Sequence, residues 1–197
     1  MKNKIAVYIC QCGSNISDYV DVEAVREEIA KDPDVAIAKT TMFACADSTQ
    51  KEMVEDIKGN QLDAMVVASC SPKLHLITFR NVAERAGLNP YNYVHANIRE
   101  QTSWAHSDKP ANATKKAIQL IKAAIAKVKY SVALTPPKIK AENSVLVVGA
   151  GVAGLRAAVD LADMGTRVYL IEKSHFVGGR TSQWTTLFSS DEKRVVH

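Results

Sequence analysis

The chain has 197 residues, of which 47% are apolar and 23% charged, so it can bury one or two cores. Its net charge of +4 comes from 25 basic and 21 acidic residues without long runs, which gives no case for a nucleic-acid partner. No apolar run reaches the roughly 18 residues that a membrane span needs, and the first residues lack a signal-peptide cleavage site, so we expect a cytoplasmic protein.

Residues 1–134 alternate between short apolar runs and amphipathic segments of helical period. Residues 62–70 are almost wholly apolar in their middle, as in a strand buried on both faces of a parallel sheet. The alternation indicates right-handed βαβ crossovers and predicts an α/β domain. The predicted strands are 4–10, 35–43, 62–70 and 91–96, and the predicted helices are 21–32 (with Asp21 as N-cap), 47–60, 76–87 and 112–134.

A proline-containing linker follows at 135–143, because Pro136 and Pro137 cannot donate a backbone hydrogen bond and restrict the residues before them. The remaining residues, 144–197, begin with strand, glycine turn, helix and strand within about thirty residues. This order predicts the first βαβ unit of a dinucleotide-binding, Rossmann-like domain that is incomplete in this chain.

The turn contains G-x-G-x-x-G, formed by Gly149, Gly151 and Gly154. In this motif the first glycine allows a tight turn, the second lets a pyrophosphate approach the backbone, and the third lets helix and strand pack closely. The start of the helix, at Val152 and Ala153, presents free N–H groups to the phosphates.

An acidic residue, Glu172, ends the second strand 18 residues after the last glycine, where it can accept a hydrogen bond from a ribose hydroxyl. An acid at this position argues against a ribose 2′-phosphate and favours FAD or NAD over NADPH. Gly178, Gly179 and Arg180 follow, and they resemble the E-x-x-x-x-x-G-G-[RK] pattern of flavoproteins with two dinucleotide sites. The alternative interpretation of this glycine pair is an ordinary flexible turn. The candidate FAD-binding residues are Gly149, Gly151, Val152, Ala153, Gly154, Glu172, Lys173, Gly179 and Arg180.

Four cysteines, Cys10, Cys12, Cys45 and Cys70, follow three of the predicted strands. Strand ends of a parallel sheet meet at one edge, so we expect the thiols to converge there. Cys10 and Cys12 are two residues apart, which in an extended strand points both side chains the same way at a spacing of roughly 6.6 Å.

These cysteines are candidate ligands of an iron–sulfur cluster, although the spacing is not that of a ferredoxin. Three alternatives stay open: a Cys₄ zinc site, a Cys10–Cys12 redox disulfide, or no site at all. In the last case Cys10 and Cys70 would be small buried residues, and Cys12 and Cys45 would be loop thiols. Residues 97–106 are either a cap over the sulfurs or a helix docked through Trp104.

Several motifs together resemble the HdrA family, the A subunits of heterodisulfide reductases, over almost the whole chain. They are C-x-C-G at 10–13, A-[AS]-C-S-P at 68–72, A-N-I-R-E at 96–100, the NATKKA segment at 112–117 and the glycine turn. The resemblance implies the N-terminal portion of an FAD-dependent iron–sulfur protein that transfers electrons in a cytoplasmic anaerobic complex and in some relatives bifurcates them. It also implies a 4Fe-4S cluster on the four cysteines, with partner subunits and ferredoxin, hydrogenase or NADH-linked carriers.

The segment after Arg180 lacks the cysteine found there in methanogenic relatives, so it resembles the bacterial branch and argues against a heterodisulfide substrate. We expect a fragment or split subunit that holds FAD weakly by itself and is inactive alone. Two other functions are carried forward as alternatives: a non-catalytic module that docks partner subunits, and an NAD-dependent dehydrogenase.

Overall fold

A computed structural model describes residues 2–184 and divides the chain into two compact units, Met1–Pro136 and Pro137–His197. The division falls inside the predicted linker at 135–143. Among the described residues, no helix combines the length and apolar character needed to cross a membrane.

The first unit is built on a parallel sheet of four strands in the order β2-β1-β3-β4. Every residue of the two central strands is buried, as expected for strands covered on both faces. This sheet confirms the predicted α/β class. The strands are β1 Ile5–Cys10, β2 Val35–Thr41, β3 Ala64–Ser69 and β4 Tyr93–Asn97.

Helices cover both faces of this sheet. Their bounds are α1 Ser14–Ser17, α2 Val22–Ile29, α3 Asp47–Gly59, α4 Pro72–Arg85 and α5 Pro110–Lys129, with a π-helical turn at Arg99–Ser103. Helices α2 and α5 pack together, as do α3 and α4, which is the arrangement that right-handed crossovers give for this strand order. The Asp21 carboxylate accepts from the Ala24 N–H at 2.9 Å and caps α2, as predicted.

Two helix boundaries differ from the sequence prediction by four residues or more. Helix α4 begins at Pro72 rather than 76, because the Ser71 hydroxyl accepts from the Lys73 N–H and a proline is favourable in the first turn of a helix. Helix α5 ends at Lys129 rather than 134, because the hydroxyl and the N–H of Ser131 bond to the last carbonyls and close the helix.

The strand order places a topological switch point between β1 and β3. The chain passes from β1 to β2 on one side and then crosses back to add β3 and β4 on the other. In open parallel sheets, ligands bind beyond the carboxyl ends of the strands at such a point. The ends of β1 and β3 are therefore the place to look for a site.

The described part of the second unit, residues 137–184, contains a two-stranded parallel sheet with one α-helix. Its elements are β5 Ser144–Val148, α6 Val152–Asp163, β6 Arg167–Ile171 and a 3₁₀ turn at Gly179–Gln183. Helix α6 lies on the sheet face that carries Val147, and the opposite face, with Leu146 and Tyr169, is more than half exposed. The predicted strand, turn, helix and strand are thus all present.

Candidate functional site

The four cysteines lie at or just after the carboxyl ends of β1, β2 and β3, and we call this group of four thiols the thiol edge. Cys10 is the last residue of β1 and Cys70 follows β3, so these two flank the switch point. Cys10 and Cys70 are buried, with 3% and 6% of their surface exposed, whereas Cys12 is half-buried and Cys45 exposed.

The Cys10 sulfur is enclosed by backbone groups. Its Sγ accepts hydrogen bonds from the N–H groups of Cys12 at 3.2 Å and Ala44 at 3.3 Å, and it lies 3.7 Å from the Met42 carbonyl. Burial raises the pKa of the Cys10 thiol to about 11. The hydrogen bonds from the two amides lower this pKa, and the nearby thiols of Cys12 and Cys45 raise it. Three of the four thiols are thus close enough to interact electrostatically.

The expectation that Cys10 and Cys12 share one extended strand is wrong. Cys12 has φ 55° and Gly13 has φ 63°, so the chain turns back immediately after β1. Positive φ is uncommon for a residue with a side chain and is concentrated at functional sites. Just before this turn, the Cys12 N–H donates to the Cys10 sulfur, so the two residues are in local contact at the end of β1.

Arg99 connects the segment 97–106 to the thiol edge. Its Nη1 donates to the Cys12 Sγ at 3.4 Å, its Nη2 pairs with Glu100 at 2.8 Å, and its guanidinium lies 4.7 Å from the Trp104 ring centroid. Trp104 is 52% exposed, so it does not anchor the segment in the core, whereas Thr102 and Ser103 are fully buried. Of the two interpretations of this segment, the contact with sulfur supports the cap.

Cys70 lies beside a buried chain of polar side chains. Burial raises the pKa of the Cys70 thiol. The charge of Arg99 lowers this pKa and the Cys12 thiol raises it, so Cys70 interacts electrostatically with both residues. Ser69, the residue before Cys70, forms a hydrogen bond between its hydroxyl and His95 Nε2 at 2.9 Å. The Tyr93 hydroxyl forms a hydrogen bond with His95 Nδ1 at 2.6 Å. Burial lowers the pKa of His95 to about 4, so its imidazole is neutral at pH 7.

A single bound metal ion does not fit this arrangement of thiols. Within residues 2–184, no three side chains of the His, Cys, Asp and Glu types are grouped closely enough to hold one ion. Thiols are nevertheless the ligand type that binds iron–sulfur clusters. Two of these sulfurs, in Cys10 and Cys12, also accept hydrogen bonds from amide or guanidinium groups, as cluster ligands do.

The glycine turn of the second unit has the local geometry that a dinucleotide cradle needs. Gly149 has φ 101°, a conformation that only glycine adopts readily. A Cβ at Gly154 would lie 1.9 Å from the Gly149 carbonyl oxygen, whereas a Cβ at Gly151 would meet nothing within 4 Å. The space that a Cβ at Gly151 would occupy is therefore open, and among the described residues no side chain caps the first turn of α6 at Val152 and Ala153.

Glu172 holds this turn together. Its Oε2 accepts from the Ala150 N–H at 2.7 Å, and its Oε1 accepts from the Ser174 N–H at 2.8 Å and the Ser174 hydroxyl at 2.9 Å. The Ser174 and Ala150 amides hold the pKa of this carboxyl at about 2, so it is ionised at neutral pH. Since Oε2 has one protein donor, it retains a lone pair for a ribose hydroxyl.

The remaining predicted residues border the same turn. Gly178 donates to the Ala150 carbonyl at 2.7 Å, and a Cβ at Gly179 would lie 3.2 Å from the Gly151 Cα. The side chains of Lys173 and Arg180 are exposed. The nine candidate FAD-binding residues thus all follow the carboxyl ends of β5 and β6.

Sequence reasoning missed three contributors to these sites. The contact of Arg99 with Cys12 spans 87 positions, and no local pattern reports it. Ala150 contributes only a backbone amide. Ser174 lies only two residues after the predicted acid, but no motif assigns it a role; both its N–H and its hydroxyl donate to Glu172.

Comparison with protein families matches residues 144–195 to the FAD dependent oxidoreductase family. The match begins at the first residue of β5 and contains the glycine turn, Glu172 and the Gly178-Gly179 pair. Residues 185–195 of the match lie outside the described residues, as does most of the cysteine-free tail that suggested the bacterial branch.

Curated relatives match nearly the whole chain. One is the A subunit of the H(2):CoB-CoM heterodisulfide,ferredoxin reductase of Methanothermobacter marburgensis, 48% identical over 94% of this chain and 28% of the relative. A second is the A subunit of the Ferredoxin/F(420)H(2)-dependent CoB-CoM heterodisulfide reductase of Methanosarcina acetivorans, 44% identical over 96% of this chain and 24% of the relative.

A third is the iron-sulfur A subunit of the CoB--CoM heterodisulfide reductase of Methanocaldococcus jannaschii, 42% identical over 98% of this chain and 29% of the relative. The chain therefore spans about a quarter of the length of the curated relatives it matches.

Proposed function

Because this chain belongs to the HdrA family of heterodisulfide reductases, we propose that it contributes the adenosine end of an FAD site to an electron-transfer oxidoreductase. The observation that carries this proposal is the open backbone at Gly151 beside an ionised Glu172 that keeps one free acceptor position. Pyrophosphate and ribose are the two groups that such a pair recognises in a βαβ unit.

FAD, when bound, supplies the capacity to accept electrons in pairs and release them singly. The chain's own residues bind and orient it. The free N–H groups at the start of α6 stabilise the negative pyrophosphate, and Gly151 lets it approach without a steric clash. Glu172 orients the ribose, and no residue of this unit needs to transfer a proton.

The test is an NMR titration of the 197-residue chain with FAD and with ADP, the half of FAD that this unit would contact. We expect both to shift the amide signals of residues 149–154 and 172–180. FMN, which lacks the adenosine, should leave them unchanged, and 2′-phospho-ADP should bind more weakly than ADP because its phosphate faces the Glu172 carboxylate.

The matched variant is Gly151→Ala, because its methyl group meets no protein atom and its φ of −74° suits alanine. It should fold as the parent does and lose ADP binding, since the methyl group occupies the position of the pyrophosphate. Equal ADP binding by this variant, or no shifts at residues 149–154 in the parent, would contradict the FAD proposal.

The thiol edge is proposed as a second electron-transfer site that holds an iron–sulfur cluster. Support comes from the position of four thiols at a topological switch point and from the donors on the Cys10 and Cys12 sulfurs. The name of the Methanocaldococcus relative includes the term iron-sulfur. Binding requires each thiol to lose its proton, which is costly for buried Cys10 and Cys70.

Anaerobic reconstitution with iron and sulfide tests this site. We expect a brown protein with bound iron and sulfide and an EPR signal after reduction, and a loss of iron in Cys12→Ser and Cys45→Ser. Bound zinc without colour would favour the zinc alternative. Protein that binds neither metal and keeps four reactive thiols would leave the cysteines as ordinary buried and loop residues.

The relatives' names point to the setting of this chain. We propose that it works in the cytoplasm with the other subunits of a heterodisulfide reductase-type complex and with a ferredoxin, since heterodisulfide reductase and ferredoxin both appear in the names of its relatives. Co-purification of such subunits with the tagged chain from an anaerobic extract is expected, and recovery of the chain as a lone monomer would contradict this part of the proposal.

A further inference from the structure

A groove lies on the side of the first unit between α4, the edge strand β4 and the end of α5. Its volume is about 420 Å³, within the size range of small-molecule sites. The side chains that define it are Leu76, Arg80, Tyr91, Tyr93, His95 and Lys127. None of the described residues that line the groove is acidic, so their summed formal charge is positive.

Two cations of this groove have no anionic partner within residues 2–184. Neither Arg80 nor Lys127 takes part in a salt bridge or a side-chain hydrogen bond there. Other basic side chains of the chain do pair with acidic ones, for example Lys39 with Glu52. The Arg80 guanidinium lies 5.0 Å from the Tyr91 ring centroid, and its Nε is buried without an acceptor. A buried donor of this kind is costly unless something accepts its hydrogen bond.

The aromatic wall of the groove is held rigidly. The Tyr93 hydroxyl bonds to His95 Nδ1, and His95 Nε2 bonds to Ser69, so the polar atoms of this wall are already engaged. Phe79 packs against both rings, with centroids 6.1 Å from Tyr93 and 5.6 Å from His95. The wall therefore offers apolar surface to a ligand, while Arg80 and Lys127 offer charge.

We propose that this groove binds a small organic anion whose carboxylate or phosphate lies between Arg80 and Lys127 and whose flat body lies against Tyr91 and Tyr93. A carboxylate or phosphate at this position would face two positive charges, with no competing carboxylate among the described residues that line the groove. The residues that line this site include none from the glycine turn.

An NMR titration of the 197-residue chain under nitrogen tests the proposal with three probes: phenyl phosphate, benzoate and the uncharged benzyl alcohol. We expect the two anions to give saturable shifts at Arg80, Tyr91, Tyr93 and Lys127, and benzyl alcohol to bind at least about tenfold more weakly. Tighter binding of phenyl phosphate identifies a phosphate ligand, and tighter binding of benzoate a carboxylate.

Lys127→Gln and Arg80→Gln should each weaken anion binding by about tenfold. Lys115→Gln is the matched control, because it removes the same charge from an exposed position of the same helix and should have no effect. The Lys127 side chain is exposed, so its variant should fold normally. Equal affinity for benzyl alcohol, equal effects of Lys115→Gln and Lys127→Gln, or no saturable shift with either anion would overturn the proposal.

Discussion

Arg99 donates a hydrogen bond to the sulfur of Cys12 across 87 positions of sequence. The two residues come from opposite sides of the topological switch point: Cys12 follows β1, and Arg99 follows the edge strand β4. Arg99 is also the stacking partner of Trp104 and the ion-pair partner of Glu100. A single guanidinium thus links the segment 97–106 to Cys12 of the thiol edge.

Arg99→Gln should lower the free energy of unfolding of the first unit by about 1–2 kcal/mol. The change removes a cation–π contact and leaves Glu100, whose side chain is 29% exposed, without its ion-pair partner. Urea denaturation followed by tryptophan fluorescence measures the loss in a Trp184→Phe background, in which Trp104 is the one remaining tryptophan.

Arg26→Gln serves as the matched control, because Arg26 pairs with Glu23 on the surface of α2 and makes no contact with the thiol edge. Its effect should be clearly smaller, since surface ion pairs are weak. Similar losses in the two variants would mean that Arg99 acts only as another surface charge.

The sequence was sufficient to predict most of this architecture, because the deciding signals are local. The apolar run of β3 and the Asp21 cap depend on residues close together in the chain, and both are present in the structure. The same reasoning places the four cysteines at strand ends.

Other features depend on contacts that local patterns do not carry. The left-handed conformation of Cys12 arises where the chain leaves β1, and strand geometry predicts the wrong arrangement for it. The early end of α5 depends on Ser131, whose hydroxyl competes for a helix carbonyl although apolar residues continue beyond it. The groove beside Arg80 joins elements from three parts of the chain.

Glu172 should titrate at about 2, well below the ordinary range of a glutamate. Its carboxylate accepts from two backbone amides and one hydroxyl, all of which favour the charged form. A depressed pKa in the folded state means that the stability it gives is present above the unfolded pKa, near 4.3, and is lost as the pH falls toward 2.

Carboxyl carbon shifts recorded by NMR between pH 7 and pH 2 measure this titration. In Ser174→Ala one donor is gone, so the pKa of Glu172 should rise toward its ordinary value. Ser182→Ala is the matched control, because its hydroxyl donates to the Gly179 carbonyl and not to Glu172. A pKa near 4.3 in the parent chain would show that the turn does not hold the carboxylate.

Tyr93→Phe should lower the free energy of unfolding by about 1–2 kcal/mol. The Tyr93 ring is buried, and its hydroxyl is the hydrogen-bond partner of His95 Nδ1, which would be left unpaired in a partly buried position. Chemical denaturation measures the change. Tyr130→Phe, at a side chain that is 68% exposed, should alter stability by less than about 0.5 kcal/mol.

Gly154→Ala should disrupt the second unit, because the new methyl carbon would lie 1.9 Å from the Gly149 carbonyl oxygen, and backbone has to move to relieve the clash. Overpacking of this kind costs about 1–3 kcal/mol. Amide exchange of residues in β5, α6 and β6 should accelerate in this variant. Gly151→Ala should exchange like the parent, since its methyl group meets open space.

The two glycine variants thereby separate the structural from the binding role of the turn. Gly154 keeps helix and turn together, so its variant should lose both slow amide exchange and ADP binding. Gly151 leaves room for a ligand, so its variant should lose ADP binding alone. If Gly154→Ala kept the exchange rates of the parent, the close approach of α6 to Gly149 would not be a requirement of this fold.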